Sequence, residues 1–308
     1  MPGLRRFPLP LIAAFFALYV IWGSTYLVIR IGVQYWPPLM LGGIRFVIAG
    51  SLMYAFLRWR GAPAPTWAQW KAAGMIGILL LSFGNGAVSM AEHSGVASGV
   101  AALAVATVPL FTLLCGYFWG ARNTRLEWAG IVLGLIGIGM LNLGSNLQSS
   151  PLGATLLVFA AAAWAFGSVW SKHLPLPQGA MASAAEMLVG GVVLLIGSAL
   201  SGERLDSVPP VEGWLALAYL IGFGSIIAFN AYMYLLKHVR PAAATSYAYV
   251  NPAVAVLLGI VFVGETIGIE EAIAMAVIIS AVVLIGLPQW RRRPERPAVV
   301  APTESRVN

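Results

Sequence analysis

The sequence has little charge. Lysine, arginine, aspartate and glutamate together make up 9% of its 308 residues, whereas hydrophobic residues make up 59%. Soluble globular proteins carry roughly 25% charged residues. A surface with so few charges must face lipid rather than water. The sequence therefore predicts an all-α integral membrane protein whose main partner is the lipid bilayer.

The residues that carry catalytic or metal chemistry are also few. Cys115 is the single cysteine, and there are three histidines, which excludes a disulfide framework. No HExxH, paired-aspartate or nucleotide-binding motif is present, so we expect no metal, no cofactor and no enzymatic activity. The net charge of +7 is spread as short basic clusters between apolar runs, a pattern that indicates no nucleic-acid partner.

Long apolar runs dominate the chain instead. A membrane span needs about 20 mostly apolar residues. The stretches that meet this length are 9–30, 37–57, 70–90, 95–119, 126–143, 152–171, 179–200, 213–235, 241–263 and 268–288. The remaining segment, 289–308, is polar and proline-rich and is predicted to be a disordered cytoplasmic tail.

The basic residues give the predicted orientation. If the N-terminus is cytoplasmic, nearly all lysines and arginines fall in cytoplasmic segments; only Arg30 and Arg204 lie outside, and Arg45 lies within a span. Lysine and arginine are enriched in the cytoplasmic loops of membrane proteins. We therefore expect a multi-pass protein of the bacterial-type inner membrane, with both termini in the cytoplasm.

The two halves of the chain resemble each other at an offset of about 141 to 144 residues. The matching residues keep their order: Trp22-Gly23-Ser24 with Phe166-Gly167-Ser168, Trp70 with Trp214, and Pro109 with Pro252. Each repeat, 9–143 and 152–288, holds five predicted helices, so the second enters the membrane from the opposite side. Inverted repeats of this kind recur in secondary transporters, with a binding site near the midplane.

The same residues carry a resemblance to a known family. The chain resembles the ten-helix EamA-type permeases of the drug/metabolite transporter superfamily. The motifs that carry the resemblance are Trp22-Gly23-Ser24, Arg45-Phe46, Pro109, Phe166-Gly167-Ser168, Asn251-Pro252 and Gly264-Glu265. One position departs from the pattern: the first half has Ala121-Arg122 where the family favours Gly-Glu, as found at Gly264-Glu265 in the second half.

The resemblance implies both an architecture and a function. Helices 1–4 and 6–9 are expected around a central cavity, with helices 5 and 10 at the periphery. Export of small metabolites is implied, amino acids prominent among them, and the branch of bacterial aromatic amino-acid exporters is favoured.

Polar and aromatic residues within the spans indicate where a solute would bind. Several recur every three or four residues, as on one face of a helix, whereas the predicted fifth and tenth spans have almost none. The candidate cavity residues are Trp22, Tyr26, Arg45, Asn85, Ser89, Trp164, Ser168, Glu186, Asn230, Tyr249 and Asn251. The alternative for each is helix–helix packing, where small polar residues are common.

Arg45 and Glu186 occupy corresponding repeat positions, well inside their spans. A charge at that depth is costly and indicates a functional site, and Glu186 is also a candidate proton site. The alternatives are a structural ion pair between the two residues, or bonds to the carbonyls of a broken helix. Pro109 and Pro252 each remove a backbone donor in mid-span, so they are candidate hinges or ordinary kinks.

The leading functional hypothesis is a secondary transporter that exports small metabolites, most of all aromatic or neutral amino acids, by alternating access. An importer or exchanger of phosphorylated or nucleotide-linked solutes is the alternative, but it needs more cations than Arg45 and Lys172. A membrane-embedded lipid enzyme and a channel are more distant alternatives. The sequence leaves proton coupling and homodimer formation open.

Overall fold

The structure is a computed structural model. It describes residues 9–93, 105–121, 123–141, 151–251, 254 and 269–291. Within these ranges the ordered elements are helices joined by short turns, without any β-strand. The prediction of an all-α chain is confirmed.

The helices are labelled α1 to α10 in chain order. In the first half they are α1 (Leu9–Phe16, Ala17–Ile21 and Trp22–Gly32, continuous), α2 (Pro38–Trp59), α3 (Trp67–Gly77, Ile78–Asn85 and Gly86–His93, continuous), α4 (Val108–Phe118) and α5 (Arg125–Leu141). In the second half they are α6 (Pro151–Trp170, then Ser171–His173), α7 (Ala180–Leu200), α8 (Val211–Tyr219, Leu220–Phe229 and Asn230–His238, continuous), α9 (Pro241–Ala244, then 247–251 after a turn) and α10 (Ile269–Arg291).

Six of these helices are long and apolar enough to cross a membrane within the described ranges: α1, α2, α3, α6, α7 and α8. The other predicted spans fall partly on residues that the structure does not describe. These spans are 95–119, 126–143, 241–263 and 268–288. The count of ten therefore stays a prediction. At the predicted tail, α10 continues to Arg291, and 292–308 lie outside the described residues.

Local signals set two of the helix starts. Thr66 caps α3 with a capping box, in which the Thr66 hydroxyl accepts from the backbone N–H of Gln69 at 3.3 Å and the Gln69 side chain accepts from that of Thr66 at 2.9 Å. The start of α2 is capped from the second half of the chain. There the carboxylate of Glu203 accepts from the backbone N–H groups of Leu39 and Met40 at 3.1 and 2.9 Å.

Pro109 lies at a helix start rather than in mid-helix. α4 begins at Val108 after a turn at 106–107. A proline in the first turn removes a backbone donor that the helix leaves unpaired in any case. Pro109 therefore removes no hydrogen bond within α4, and its role as a hinge or a kink stays a prediction, while Pro252 lies outside the described residues.

α2 and α7, counterparts in the predicted repeat, pack closely through glycines. A Cβ on Gly50 would lie 2.9 Å from the backbone nitrogen of Leu188, and one on Gly191 would lie 2.8 Å from that of Val47. The contacts run in opposite chain directions, so the two helices are antiparallel. α3 joins the same contact, because Gly190 packs on its backbone at Gly77. We call this contact the glycine seam; its members are Gly43, Gly50, Gly77, Gly190 and Gly191.

α5 and α10, also counterparts, form a second antiparallel pair. A Cβ on Gly130 would lie 2.7 Å from Cγ1 of Ile285, and one on Gly137 would lie 2.8 Å from Cγ1 of Ile278. This pair belongs to a small hydrophobic cluster that is separate from the main core, and α4 and α9 contribute residues to both.

α1, α3 and α8 each contain a stretch of π-helix, Ala17–Ile21, Ile78–Asn85 and Leu220–Phe229. The first residues of the stretches in α3 and α8 are 142 positions apart, which is the offset of the predicted repeat. π-Helical turns are rare and are frequent at functional sites. They also rotate the side chains that follow relative to a regular α-helix.

Candidate functional site

A cavity of about 80 Å³ lies between α1, α2, α3, α4, α6 and α9. Its polar and aromatic lining residues are Trp22, Thr25, Arg45, Asn85, Trp164, Tyr247 and Asn251. Of the described residues in α5 and α10, none lines it. Ligand pockets usually enclose several hundred Å³, so the cavity in this structure is small for a ligand site.

Arg45 is the charged residue of the cavity wall. Its side chain is 5% exposed, and Nε donates a hydrogen bond to Oγ of Ser225 on α8 at 3.0 Å. The guanidinium lies over the ring of Phe46, 4.3 Å from its centroid, a favourable cation–π arrangement. Glu186 is not within ion-pair distance, so the structural ion pair considered for these two residues is wrong.

Aromatic rings form much of the remaining wall. The ring of Trp22 lies 5.6 Å from that of Trp164 and 4.8 Å from that of Tyr247, both edge to face. Tyr232 on α8 lies outside the cavity and fixes the indole of Trp164, whose Nε1 donates a hydrogen bond to the Tyr232 hydroxyl at 3.0 Å. Ser168 bonds to the same hydroxyl. The indoles are therefore held in fixed positions by hydrogen bonds.

Two amides face the same space. Asn251 is 1% exposed, and neither its Nδ2 nor its Oδ1 has a hydrogen-bond partner among the described residues. Asn85 is half-buried on the opposite side, on α3. Buried polar groups are nearly always hydrogen-bonded, so the unpartnered amide of Asn251 is available to a bound molecule.

Five of the predicted site residues thus lie together: Trp22, Arg45, Asn85, Trp164 and Asn251. The structure places five others away from the cavity lining: Ser89, Ser168, Glu186, Asn230 and Tyr249. The side chain of Tyr26 is not described.

Four of the five displaced residues have contacts that explain their positions. Ser168 bonds to the carbonyl of Trp164 at 2.6 Å, and Asn230 bonds to that of Ile226 at 2.6 Å, so both satisfy backbone groups of their own helices. Tyr249 packs against Gly134 of α5 in the peripheral cluster. Ser89 is buried on α3. Glu186 lies on α7 at the glycine seam.

Tyr247 and Tyr232 are not among the candidate cavity residues that the sequence predicted. Tyr247 lines the cavity because the turn at Thr245–Ser246 redirects α9, and both turn side chains bond to preceding carbonyls. Ser225 lies within the π-helix that ends at Phe229, and Tyr232 follows it, so regular helical spacing does not predict whether the two residues share a face.

The described residues hold no group of three or more His, Cys, Asp or Glu side chains that could bind a metal ion. The chemistry of the cavity is that of reversible binding: one guanidinium, two amides, a threonine hydroxyl and aromatic faces.

Known proteins similar to this chain are transporters. "Uncharacterized inner membrane transporter YedA" of Escherichia coli is 55% identical over 294 residues, which cover 96% of this chain and 95% of the relative. "Probable amino-acid metabolite efflux pump" of Salmonella typhimurium is 28% identical, covering 89% and 93%. A crystal structure with 23% sequence identity matches the fold with a TM-score of 0.74, covering 92% of this chain and 99% of that one.

The family model described as "EamA-like transporter family" matches residues 9–143 and 151–287. Together with the relatives, it confirms the resemblance that Trp22-Gly23-Ser24 and Arg45-Phe46 helped to carry. It also confirms a multi-pass inner-membrane transporter rather than an enzyme. The chain belongs to the EamA-like transporter family.

Proposed function

We propose that this transporter exports small zwitterionic metabolites, foremost aromatic or neutral amino acids, by alternating access. The proposal is carried by the unpartnered amide of Asn251, which lines the same cavity as Arg45. A carboxylate accepts charge-assisted hydrogen bonds from a guanidinium, and Arg45 uses only Nε within the described protein. An amide offers both donors and an acceptor for an ammonium group or a second carboxylate oxygen.

The aromatic wall supports the same class of solute. Trp22, Trp164 and Tyr247 offer ring faces and edges, and aromatic pairs add roughly 0.5–1.5 kcal/mol beyond the area that they bury. A phosphorylated or nucleotide-linked solute would need several cations, and Arg45 is the charged residue among the described lining residues. The similarity to an amino-acid metabolite efflux pump also supports export.

The proposal includes ten spanning helices in two inverted modules, 9–143 and 152–288, with cytoplasmic termini. Antiparallel packing of α2 on α7 and of α5 on α10 supports it, since a two-fold axis in the membrane plane relates counterpart helices in this way. The recurrence of π-helix in α3 and α8 is a second support. Because the sequence has no ATP-binding motif, the proposed energy source is an ion gradient.

Solute counterflow in proteoliposomes against a panel of labelled amino acids tests this function. Asn251→Leu keeps most of the volume but removes both amide atoms, so it should fold at least as well as the parent and lose counterflow more than tenfold. Asn230→Leu is the matched control, because Asn230 lies outside the cavity lining and bonds to the carbonyl of Ile226 and to Sδ of Met53. Unchanged counterflow in Asn251→Leu would show that the amide serves packing rather than solute binding.

A further inference from the structure

Glu186 lies on α7, where this helix packs closest to α3. Its side chain is 0% exposed, and neither carboxylate oxygen has a hydrogen-bond partner among the described residues. The backbone of Glu186 packs directly on Gly77, where a Cβ would collide with its carbonyl. The proposed solute site does not use this carboxylate.

Ser183 adds a second unpartnered group one turn earlier on the same helix. It is 1% exposed, and its Oγ also lacks a partner in the described part of the chain. Side chains three residues apart lie on the same helix face. The two residues therefore form a patch of buried oxygens within the protein, and burial without partners costs free energy at each of them.

The charged and titratable residues of the helices packed against α7 are engaged elsewhere or lie at the surface. They are Arg45, Tyr54 and Arg58 on α2, Lys71 and His93 on α3, and Glu212, Tyr219, Tyr232, Tyr234, Lys237 and His238 on α8. Glu92 on α3 also belongs to these helices, and its side chain is not described. Arg58 bonds to the carbonyl of Ala62, and Lys71 lies over the ring of Trp67. Lys237 is exposed at the end of α8.

We propose that Glu186, together with Ser183, is a proton-binding site distinct from the solute cavity; the inference rests on the proposed transport function. An ionised carboxylate without partners in an apolar surrounding is so costly that such a group takes up a proton instead. The proton adds to one carboxylate oxygen and gives a neutral acid, with no other bond changed. A metal cation is a poorer fit, because hard cations such as Ca²⁺ take six to eight oxygen ligands.

Proton release is linked to conformation by the glycine seam. Water reaches the carboxylate only when α7 separates from α2 and α3, so the packed state holds the proton and an opened state exchanges it. Solute and proton thus bind at different places, and the movement of α7 couples them.

Glu186→Gln tests the site in proteoliposomes, because glutamine keeps the shape of the neutral acid but cannot titrate. We expect unchanged counterflow, which needs no net proton movement, and complete loss of the response of transport to an imposed pH gradient. Glu186→Asp should keep that response at a lower rate, and Glu212→Gln, at an exposed acid, should behave as the parent. A Gln variant that responds fully to the gradient overturns the proposal.

Thermal melting of the purified protein in detergent at a series of pH values provides a readout independent of transport. A proton held only by the folded state lowers the folding equilibrium constant by up to tenfold for each unit of rising pH, and Glu186→Gln should remove that contribution. If the melting temperatures of parent and Glu186→Gln depend on pH in the same way, or if the variant no longer folds, the proposed proton site is wrong. A parent without counterflow for any amino acid refutes the proposed function alone.

Discussion

Arg240 pairs with the buried carboxylate of Glu127 and so joins the start of α5 to the short segment between α8 and α9. Nη2 of Arg240 donates to Oε2 at 2.8 Å, and the backbone N–H of Thr124 donates to the same oxygen at 2.7 Å. Beside this pair, Lys172 donates to the carbonyl of Val239 at 3.0 Å. The two halves of the chain are therefore tied together at this end of the molecule by charged groups.

Removing one partner of this pair should destabilise the protein. Glu127→Gln leaves the guanidinium of Arg240 without its anion, and we expect a loss of about 3 kcal/mol, the lower end for a broken buried pair, since Arg240 is partly exposed. Denaturant or thermal unfolding in detergent measures it. Glu127→Gln/Arg240→Gln should cost less than the sum of the single changes, and strict additivity would contradict a direct interaction.

Tyr232 and Tyr249 are both fully buried, but only the Tyr232 hydroxyl supports a residue of the cavity wall, so Tyr249 provides a matched control. Tyr232→Phe removes the hydroxyl that accepts from Trp164 and bonds to Ser168, so we expect about 1 kcal/mol of lost stability and several-fold weaker solute binding. Tyr249→Phe removes a buried hydroxyl that has no partner in the described structure, so it should leave solute binding unchanged and stability unchanged or slightly higher. Ligand-dependent tryptophan fluorescence and melting measure the two effects. Equal effects of both changes would contradict the assigned roles.

Gly134 should not tolerate a methyl group. A Cβ there would lie 2.8 Å from Cζ of Tyr249, and overpacking of this kind typically costs about 1–3 kcal/mol. Gly139→Ala, also on α5, meets nothing within 4 Å, and it should be neutral or slightly stabilising because alanine favours helix. Melting temperatures of the two variants test the difference. A stable Gly134→Ala would show that Tyr249 moves freely.

The orientation can be tested with single cysteines in a Cys115→Ser background. Ser207→Cys, exposed between α7 and α8, should react with an impermeant thiol reagent on intact cells, whereas Ala64→Cys, exposed between α2 and α3, should react only after lysis. The distribution of basic residues predicts this difference. The reverse labelling pattern would place both termini outside.

The sequence predicted the class of protein well because a lipid-exposed surface changes the composition of the whole chain. Few charges and long apolar runs can be recognised without knowing which residues pack against each other. Likewise, Trp22, Arg45 and Trp164 were found because bulky or charged residues in mid-span stand out whatever packs against them.

The individual cavity faces were harder to predict because α3, α8 and α9 depart from regular α-helix. The turn at Thr245–Ser246 brings Tyr247 rather than Tyr249 to the cavity. The π-helix ending at Phe229 changes the phase between Ser225 and Asn230. A period of 3.6 residues extrapolated across such turns selects the wrong face. An ion pair between Glu186 and Arg45 depends on tertiary packing, and the spacing of residues in the sequence does not predict that packing.

The glycine seam has a consequence for how this protein can vary. At Gly50, Gly77 and Gly191 the neighbouring helix supplies backbone atoms, which cannot turn aside as a side-chain tip can. These positions therefore require glycine, because any side chain would collide with the neighbouring backbone. If every residue were substituted in turn, the seam positions in both halves of the chain would stand out because they would not tolerate even alanine. The cavity wall beside it would accept exchanges of similar shape, so new solutes can be acquired there without disturbing the seam.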